Sequence, residues 1–274
     1  MSATTDREQG SGAPPRRRGG ASALPQWGGS GSPVLDLAEV VIRREKGGSS
    51  FVLRIPKFRV SPGEFVAIVG QSGCGKSTLL DVLGLILAPT EAERFLCCDV
   101  SGDVVALHNG ASDGKLAAMR RTQIGYVLQT GGLLPFLSVQ KNIELPRKIN
   151  GMRGNAAAAR GLAKSLGIDS QLGKLPQHLS GGQRQRAAIA RALSHQPPII
   201  LADEPTAAVD RPNALEILSH FKSLVRRLGM TLLMVTHDLE LVRQSADRFL
   251  TFDVKRLSET RVESTCYEVG RTQI

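Results

Sequence analysis

The sequence is poor in aromatic residues and in cysteine, and each shortage excludes a class of protein. Aromatic residues make up 4% of the 274 residues whereas 41% are hydrophobic, so the core must consist mainly of aliphatic side chains and alanine. The four cysteines, Cys74, Cys97, Cys98 and Cys266, have neither the spacing of a metal site nor that of a disulfide framework. A reducing compartment, the cytoplasm, is therefore expected.

Long hydrophobic runs are also absent. The best candidate for a membrane span, Leu79 to Ala88, is short and contains Asp81. The N-terminal residues lack the apolar stretch of a secretory signal. These patterns predict a protein that is soluble or bound peripherally to a membrane.

Positive charge is in excess, since the sequence has 35 lysines and arginines but 25 acidic residues, which gives a net charge of +10. Such a charge is compatible with an acidic partner such as nucleic acid or anionic lipid. The basic residues are scattered, however, and no block of them is interleaved with aromatics. A solvated basic surface is therefore the favoured interpretation, and nucleic acid is not an expected partner.

The most informative stretch of the chain is Gly70 to Thr78, which matches the P-loop pattern G-x-x-x-x-G-K-[ST]. It follows a predicted buried strand and precedes a predicted helix. Backbone N–H groups of such a loop and the start of its helix point at a phosphate, Lys76 reaches the β- and γ-phosphates, and the Ser77 hydroxyl ligates Mg²⁺. The predicted nucleotide-binding residues are Gly70, Gln71, Ser72, Gly73, Cys74, Gly75, Lys76, Ser77 and Thr78. The alternative is a glycine-rich turn that carries Lys-Ser by chance.

A second landmark is the apolar run Ile199 to Ala202, which ends in Asp203 and Glu204. In P-loop NTPases a strand of this kind lies beside the P-loop strand, and its aspartate holds Mg²⁺ through water. Asp203 fits that role, and Glu204 can deprotonate an attacking water. Without a P-loop the pair would be equally compatible with an ordinary acidic strand end.

A third landmark is Leu179-Ser180-Gly181-Gly182-Gln183, in which Ser180 is a good N-cap for a helix from Gln183 to Leu193. Two glycines before a helix form a second anion-binding end. Taken alone, this pattern favours an ordinary capped helix after a glycine turn.

The organisation of the chain follows from its composition and periodicity. Residues 1–33 are rich in Gly, Pro and Arg and predict a disordered tail. Residues 34–254 predict one domain of alternating strands and helices, with a helical insertion at about residues 133–180. Residues 255–274 become polar, and we expect a loosely attached C-terminal tail. Further predicted elements are a strand at Val100 to Leu107 and a helix through Val139 and Ile143 that Ser138 caps. A helix from Asn213 to Leu228 is also predicted, with Leu215, Leu218, Phe221 and Leu224 or Val225 on its buried face.

The order of these motifs resembles the nucleotide-binding subunit of ATP-binding-cassette (ABC) transporters. A P-loop is followed by Gln129 at a strand end, by the Ser180 to Gln183 signature, by Asp203-Glu204, by Asp210 and by His237 after a strand. The resemblance covers Val34 to Phe252, and its finer features are most like the branch of lipoprotein release, macrolide export and cell division. It implies an α/β P-loop NTPase fold with a mostly parallel sheet, an antiparallel β subdomain and an inserted helical subdomain.

The resemblance also implies roles and partners. Glu204, His237, Lys76 and Gln129 would be catalytic, and Ser77, Gln129 and Asp203 would hold Mg²⁺. The signature residues Ser180, Gly181, Gly182 and Gln183, together with Asp210, would serve ATP held by the P-loop of a second subunit, in a homodimer. A separately encoded integral-membrane permease would be driven by ATP hydrolysis, with this subunit on the inner face of the cell membrane.

One family feature is missing, because Ile42-Arg43-Arg44 stands where the family usually has an aromatic residue that stacks on adenine. An arginine of this segment, Arg43 or Arg44, or else Phe51 could replace it. Two alternative functions are less compatible with the sequence. A soluble ABC-type ATPase that acts on nucleic acid or ribosomes usually has two cassettes or a coiled-coil insertion, and neither is found here. A regulatory cassette with weak catalysis disagrees with the presence of Lys76, Glu204 and His237.

Overall fold

The structure, a computed structural model, describes residues 32–98, 113–152, 155–207 and 209–273, and nine strands of these segments form one sheet. The strands are β1 (Leu35–Lys46), β2 (Ser49–Val60), β3 (Phe65–Val69), β4 (Arg94–Cys97), β5 (Ile124–Val127), β6 (Ile199–Asp203), β7 (Thr231–Thr236), β8 (Arg248–Arg256) and β9 (Arg261–Val269). Their order across the sheet is β4-β1-β2-β9-β8-β3-β7-β6-β5. The strand predicted at Val100 to Leu107 and nearly all of the predicted N-terminal tail lie outside the described residues.

Seven α-helices are present in the same segments. They are α1 (Lys76–Leu83), α2 (Asp113–Gln123), α3 (Val139–Ile149), α4 (Ala156–Ser165), α5 (Gly181–Leu193), α6 (Arg211–Arg227) and α7 (Leu239–Val242). All regular structure described between β5 and β6 is helical, including two short 3-10 turns at Asp169–Gln171 and Pro176–His178. In the described parts of the chain, no helix has both the length and the apolar character that crossing a membrane requires.

Parallel pairing of the central strands brings the three sequence landmarks to one edge of the sheet. β3 pairs in parallel with β7 and β8, and β6 pairs in parallel with β5 and β7. β3 and β7 are buried along their whole length, as expected for parallel strands that are covered on both faces. Since parallel strands point the same way, the segments that follow β3, β6 and β7 emerge side by side.

Side-chain alternation along the central strands divides the core into two clusters, one on each face of the sheet. Phe65, Ala67 and Val69 of β3 pack with the helices inserted between β5 and β7, mainly α3 to α6. Val66 and Ile68 of the same strand pack instead with α1 and with residues of β1 and β2. The P-loop therefore connects a strand and a helix that are both fixed by buried aliphatic contacts.

The prediction of a loosely attached C-terminal tail at residues 255–274 is wrong, because this segment pairs with the sheet. β8 continues to Arg256, and β9 pairs antiparallel with β8 and parallel with β2. The segment was misjudged because few of its residues are apolar. Burial in β9 alternates instead, with Ser264 and Cys266 buried at 0% and 2% exposure. A buried serine is tolerated there because its hydroxyl has a hydrogen-bond partner.

The buried face of α6 also differs from the prediction in one residue. Leu215 is 50% exposed, and the residues that face the core are Ala214, Ile217, Leu218, Phe221, Leu224 and Val225. The helix begins two residues earlier than predicted, after Asp210 as N-cap, and the true apolar stripe follows the i, i+3, i+4, i+7 spacing from Ala214.

Candidate functional site

The P-loop connects β3 to α1 through a backbone that only glycine adopts readily. Gly73 and Gly75 have φ of 78° and 111°, in the region that favours glycine. A Cβ on Gly75 would also lie 3.0 Å from Cζ of Phe51. Gly75 is the N-cap of α1 and offers no side chain, so the N–H groups of the first turn have neither an intrahelical partner nor a side-chain cap. They form a donor set suited to an anion.

Lys76 is held inside this loop by its own backbone. Its Nζ donates hydrogen bonds to the carbonyl oxygens of Gly70 at 2.7 Å and Gln71 at 2.8 Å, and the side chain is 9% exposed. Cys74 lies buried beneath the loop, where burial raises the pKa of its thiol. The Lys76 ammonium is thus fixed close to the N–H groups at the start of α1. A phosphate bound by these N–H groups would therefore also contact the ammonium.

Carboxylates gather opposite this cationic end. Burial, Glu204 and Asp81 raise the pKa of Asp203, and Lys76 opposes them. Burial also raises the pKa of Asp81, which lies on α1. From the sequence alone, Asp81 is recognised only as an interruption of an apolar run. A single carboxylate among the buried residues of a P-loop helix was a signal that its charge acts on Asp203, whose pKa it helps to raise.

Glu204 and His237, which follow β6 and β7, are in direct contact. Oε2 of Glu204 lies 3.0 Å from Nδ1 of His237. Glu204 has a positive φ of 42°, and its N–H donates to the carbonyl oxygen of Val235 at 3.0 Å. The strained backbone of Glu204 is therefore supported by a hydrogen bond to the neighbouring strand β7.

The residues predicted to hold Mg²⁺ line one cavity of about 660 Å³ together with the P-loop and Glu204. Ser77, Gln129 and Asp203 supply a hydroxyl, an amide oxygen and a carboxylate, the hard oxygen ligands that Mg²⁺ prefers. Within the described residues, no group of three or more His, Cys, Asp and Glu side chains is arranged to hold a metal ion. The donor set fits Mg²⁺, which usually takes few protein ligands and completes its shell with water and phosphate oxygens.

The same cavity extends away from the P-loop to a second wall, and only part of this wall was predicted from the sequence. Arg44 and Phe51, paired across β1 and β2, lie on one side of it. Glu259, Thr260 and Val262 of the β8–β9 hairpin also line it. The hairpin residues were missed because the segment was expected to be a loose tail, and its pairing with β2 spans about 210 residues of sequence.

The signature lies in a second, separate cavity of about 470 Å³. Ser180 and Gln183 form a capping box at the start of α5. The Gln183 N–H donates to Ser180 Oγ at 3.2 Å, and the Ser180 N–H donates to Gln183 Oε1 at 3.0 Å. Gly181, Gly182 and Asp210 line this cavity as well, and Asp210 caps α6 through the N–H of Asn213 at 3.0 Å.

Most of the predicted site residues line one of these two cavities, whereas Gly70, Gln71, Cys74 and His237 line neither. Ser72, Gly73, Gly75, Lys76, Ser77, Thr78, Gln129, Asp203 and Glu204 lie in the first, whereas Ser180, Gly181, Gly182, Gln183 and Asp210 lie in the second. The structure therefore does not bring the signature to the P-loop of the same chain. Hydrogen bonds from Asn213 and from the backbone lower the pKa of the exposed Asp210 carboxyl, which stays ionised at neutral pH.

Comparison with known proteins places this geometry in a family. The family model described as ABC transporter matches residues 53–207. An uncharacterized ABC transporter ATP-binding protein of Thermotoga maritima is 40% identical over 76% of this chain and 83% of its own length. The lipoprotein-releasing system ATP-binding protein LolD of Roseobacter denitrificans is 36% identical over 83% of this chain and 99% of its own.

Solved structures agree with the sequence relatives. A dimeric structure of the ABC transporter cassette MJ0796 superposes with a TM-score of 0.70 at 35% identity, covering 79% of this chain and 93% of that one. A second dimeric structure of MJ0796, in a post-hydrolysis state bound to ADP and Pi, gives 0.69 at 32% identity, covering 86% and 98%. The fold is that of an ABC ATPase, as the motif order predicted, and the chain belongs to the ATP-binding proteins of the ABC transporter family.

Proposed function

We propose that this chain binds ATP and Mg²⁺ in the P-loop cavity and hydrolyses ATP as a symmetric dimer, in which the signature of one subunit completes the site of the other. The observation that carries the proposal is the separation of the P-loop and the signature into two cavities of one chain. Both cavities contain a helix N-terminus with glycine and free backbone donors. A γ-phosphate between two such ends is contacted from both sides only when two copies meet.

The residues divide the chemistry as follows. Lys76 and the N–H groups of α1 hold the β- and γ-phosphates, while Ser180 and Gly182 of the second subunit contact the γ-phosphate from the other side. Ser77, Gln129 and Asp203 would hold Mg²⁺, which when bound neutralises charge on the phosphate oxygens. Asp210 lies beside the signature and contributes to the dimer contact.

Glu204 acts as the general base. Its carboxylate accepts a proton from the water that attacks the γ-phosphorus in line, and the bond to the β–γ bridging oxygen breaks to release ADP and phosphate. His237 donates a hydrogen bond from Nδ1 to Glu204 and so orients the carboxylate, and when both ring nitrogens carry a proton its Nε2–H steadies the γ-phosphate. The 3.0 Å contact between the two residues supports this division of roles.

The membrane partner is a separately encoded permease, with this subunit bound at the inner face of the membrane. Support comes from the relatives that carry the names of ABC transporter ATP-binding proteins and, in LolD, of a lipoprotein-releasing system. Closure of the dimer around ATP would deliver work to the permease. The test is recovery of an integral membrane protein when the chain is purified from detergent-solubilised membranes. Recovery of ribosomes or RNA without such a protein would contradict the proposal.

A mixing experiment tests the shared site directly. The variant Lys76→Ala lacks a working P-loop, and the variant Gly182→Glu places a negative charge in the signature. The fold should tolerate Gly182→Glu, because the backbone φ of Gly182 is not positive and an added Cβ meets only Val209, at 3.4 Å. Each variant alone should be inactive. A mixture should recover about a quarter of the wild-type ATPase rate, because half of randomly formed dimers are mixed and each contains one intact site. No recovery in mixtures that do form heterodimers would contradict a site shared between subunits.

A further inference from the structure

The β8–β9 hairpin reaches the nucleotide cavity, and its position there is fixed by three contacts. The Ser50 N–H donates to the carbonyl oxygen of Thr260 at 2.7 Å. β9 then pairs with β2 in parallel from Ser50 to Arg54. Deeper in the strand, Ser264 Oγ donates to the carbonyl oxygen of Cys74 at 2.6 Å, inside the P-loop. The hairpin is therefore attached both to the cavity wall and to the phosphate loop.

The turn of the hairpin is ordered by its own hydrogen bonds. The N–H of Leu257 donates to the carbonyl oxygen of Arg261 at 2.9 Å, and the N–H of Thr260 donates to Ser258 Oγ at 3.3 Å. These bonds define the position of Glu259 between them. Glu259 and Thr260 are both exposed and both line the cavity, so their side chains are available to a ligand.

The two ends of the cavity differ in charge. The phosphate end contains Lys76 and the α1 terminus, which are suited to an anion. At the far end the charges cancel, since two basic and two acidic residues line it: Arg44, Lys46, Glu45 and Glu259. The other groups there are hydroxyls and the apolar side chains of Phe51 and Val262. A balanced surface with one aromatic ring suits a neutral heteroaromatic base with its sugar rather than further phosphate.

We propose that the hairpin loop Leu257–Thr260 is the wall of the nucleoside end of this cavity, and that Glu259 and Thr260 are specificity-determining residues that hydrogen-bond the base and ribose of the nucleotide. The inference rests on the proposed ATP binding at the P-loop. It assigns to this loop a share of nucleoside recognition that complements Arg44 and Phe51 on the opposite wall.

The test separates the nucleoside from the phosphates by comparing ATP with inorganic tripolyphosphate. The double variant Glu259→Ala/Thr260→Ala keeps the Thr260 carbonyl that binds Ser50. It should weaken ATP binding about tenfold, as expected for the loss of two hydrogen bonds, and leave tripolyphosphate binding unchanged. Glu240→Ala, which removes an exposed carboxylate of α7, is the matched control and should change neither. Equal weakening of both ligands, or no weakening of ATP, would overturn the inference.

A fluorescence measurement gives a second test, which does not depend on a variant that binds ATP more weakly. Trp27, the one tryptophan of the sequence, is first replaced by phenylalanine, and Glu259→Trp then supplies a single reporter at an exposed position. ATP and ADP should change its emission, and tripolyphosphate should not. The inference fails if tripolyphosphate has the same effect as ATP or if bound ATP has none. A wild-type chain that binds neither ATP nor tripolyphosphate would overturn the proposed function itself, which distinguishes the two failures.

Discussion

Nδ1 of His237 lies 3.0 Å from Oε2 of Glu204, and this contact joins the ends of two adjacent parallel strands. Glu204 is mostly buried and has a positive φ, whereas the His237 side chain is 66% exposed. An exposed imidazole therefore contacts a carboxylate that is itself mostly buried.

Glu204→Gln should retain ATP binding and lose about 10²–10⁴-fold in ATP turnover, because the amide cannot accept the proton of the attacking water. ATP-bound dimers should accumulate, as measured by size-exclusion chromatography with light scattering. Glu240→Gln is the control for the loss of a surface carboxylate. Unchanged turnover in Glu204→Gln would contradict the general-base role.

His237→Ala should lower kcat with little change in KM, since the imidazole positions Glu204.

Lys76→Ala should weaken tripolyphosphate binding about 10- to 100-fold, as expected for the loss of a charge-assisted hydrogen bond, and should abolish ATP turnover. Lys76→Arg should fail as well, because the ammonium fits between the carbonyl oxygens of Gly70 and Gln71 and a guanidinium fork does not. Calorimetry measures the binding, and Lys141→Ala on the exposed side of α3 is the control. Normal turnover in either Lys76 variant would remove the basis for the P-loop assignment.

Ser264→Ala should lower the free energy of unfolding by about 1–3 kcal/mol, because it leaves the buried carbonyl of Cys74 without its partner. It should also weaken ATP and tripolyphosphate binding by similar factors, since it acts on the phosphate loop and not on the nucleoside end. Urea unfolding and calorimetry measure the two effects. Ser170→Ala, at an exposed serine, should change neither, and an unaffected Ser264→Ala would contradict the support that β9 gives to the loop.

His195 should make the protein less stable in mild acid. Burial lowers the pKa of its imidazole to about 4, with Arg147 acting in the same direction. The unfolded chain takes up a proton near pH 6.5, so it binds more protons than the folded chain between about pH 6.5 and 4, and stability falls as the pH decreases through this window.

The measurement is urea unfolding of the wild type and of His195→Gln at neutral pH and at about pH 5. Between these conditions the wild type should lose about 2 kcal/mol more than the variant. His178→Gln, at an exposed histidine, should behave as the wild type does. Equal acid sensitivity of the wild type and His195→Gln would show that the buried imidazole is not the cause.

Local sequence predicted the elements whose signals are contiguous. β3, β6 and β7 are short apolar runs that end at functional residues, and Ser138 and Ser180 were predicted as N-caps from their place before amphipathic helices. These features depend on residues within one or two turns of each other. Side-chain type and spacing therefore carry enough information to locate them.

Features that depend on distant pairing were not predictable in this way. β9 has mostly polar residues, and its burial follows from contacts with β2 and the P-loop, both far away in sequence. The contact between Glu204 and His237 likewise requires the order of β6 and β7 in the sheet. Leu215 fits an apolar stripe by spacing, but the faces of α6 are decided by how the helix docks, which leaves Leu215 exposed.

The place of β9 in the sheet has a consequence for folding during synthesis. β4, β1 and β2 join the central strands in the sheet only through β9 and β8, although they are among the first strands to leave the ribosome. The sheet therefore stays in two separate pieces until residues 248–269 have emerged, and Ser264 reaches the carbonyl of Cys74 only then. A nascent chain without residues 248–269 accordingly lacks the hydrogen bond from Ser264 that supports its phosphate loop.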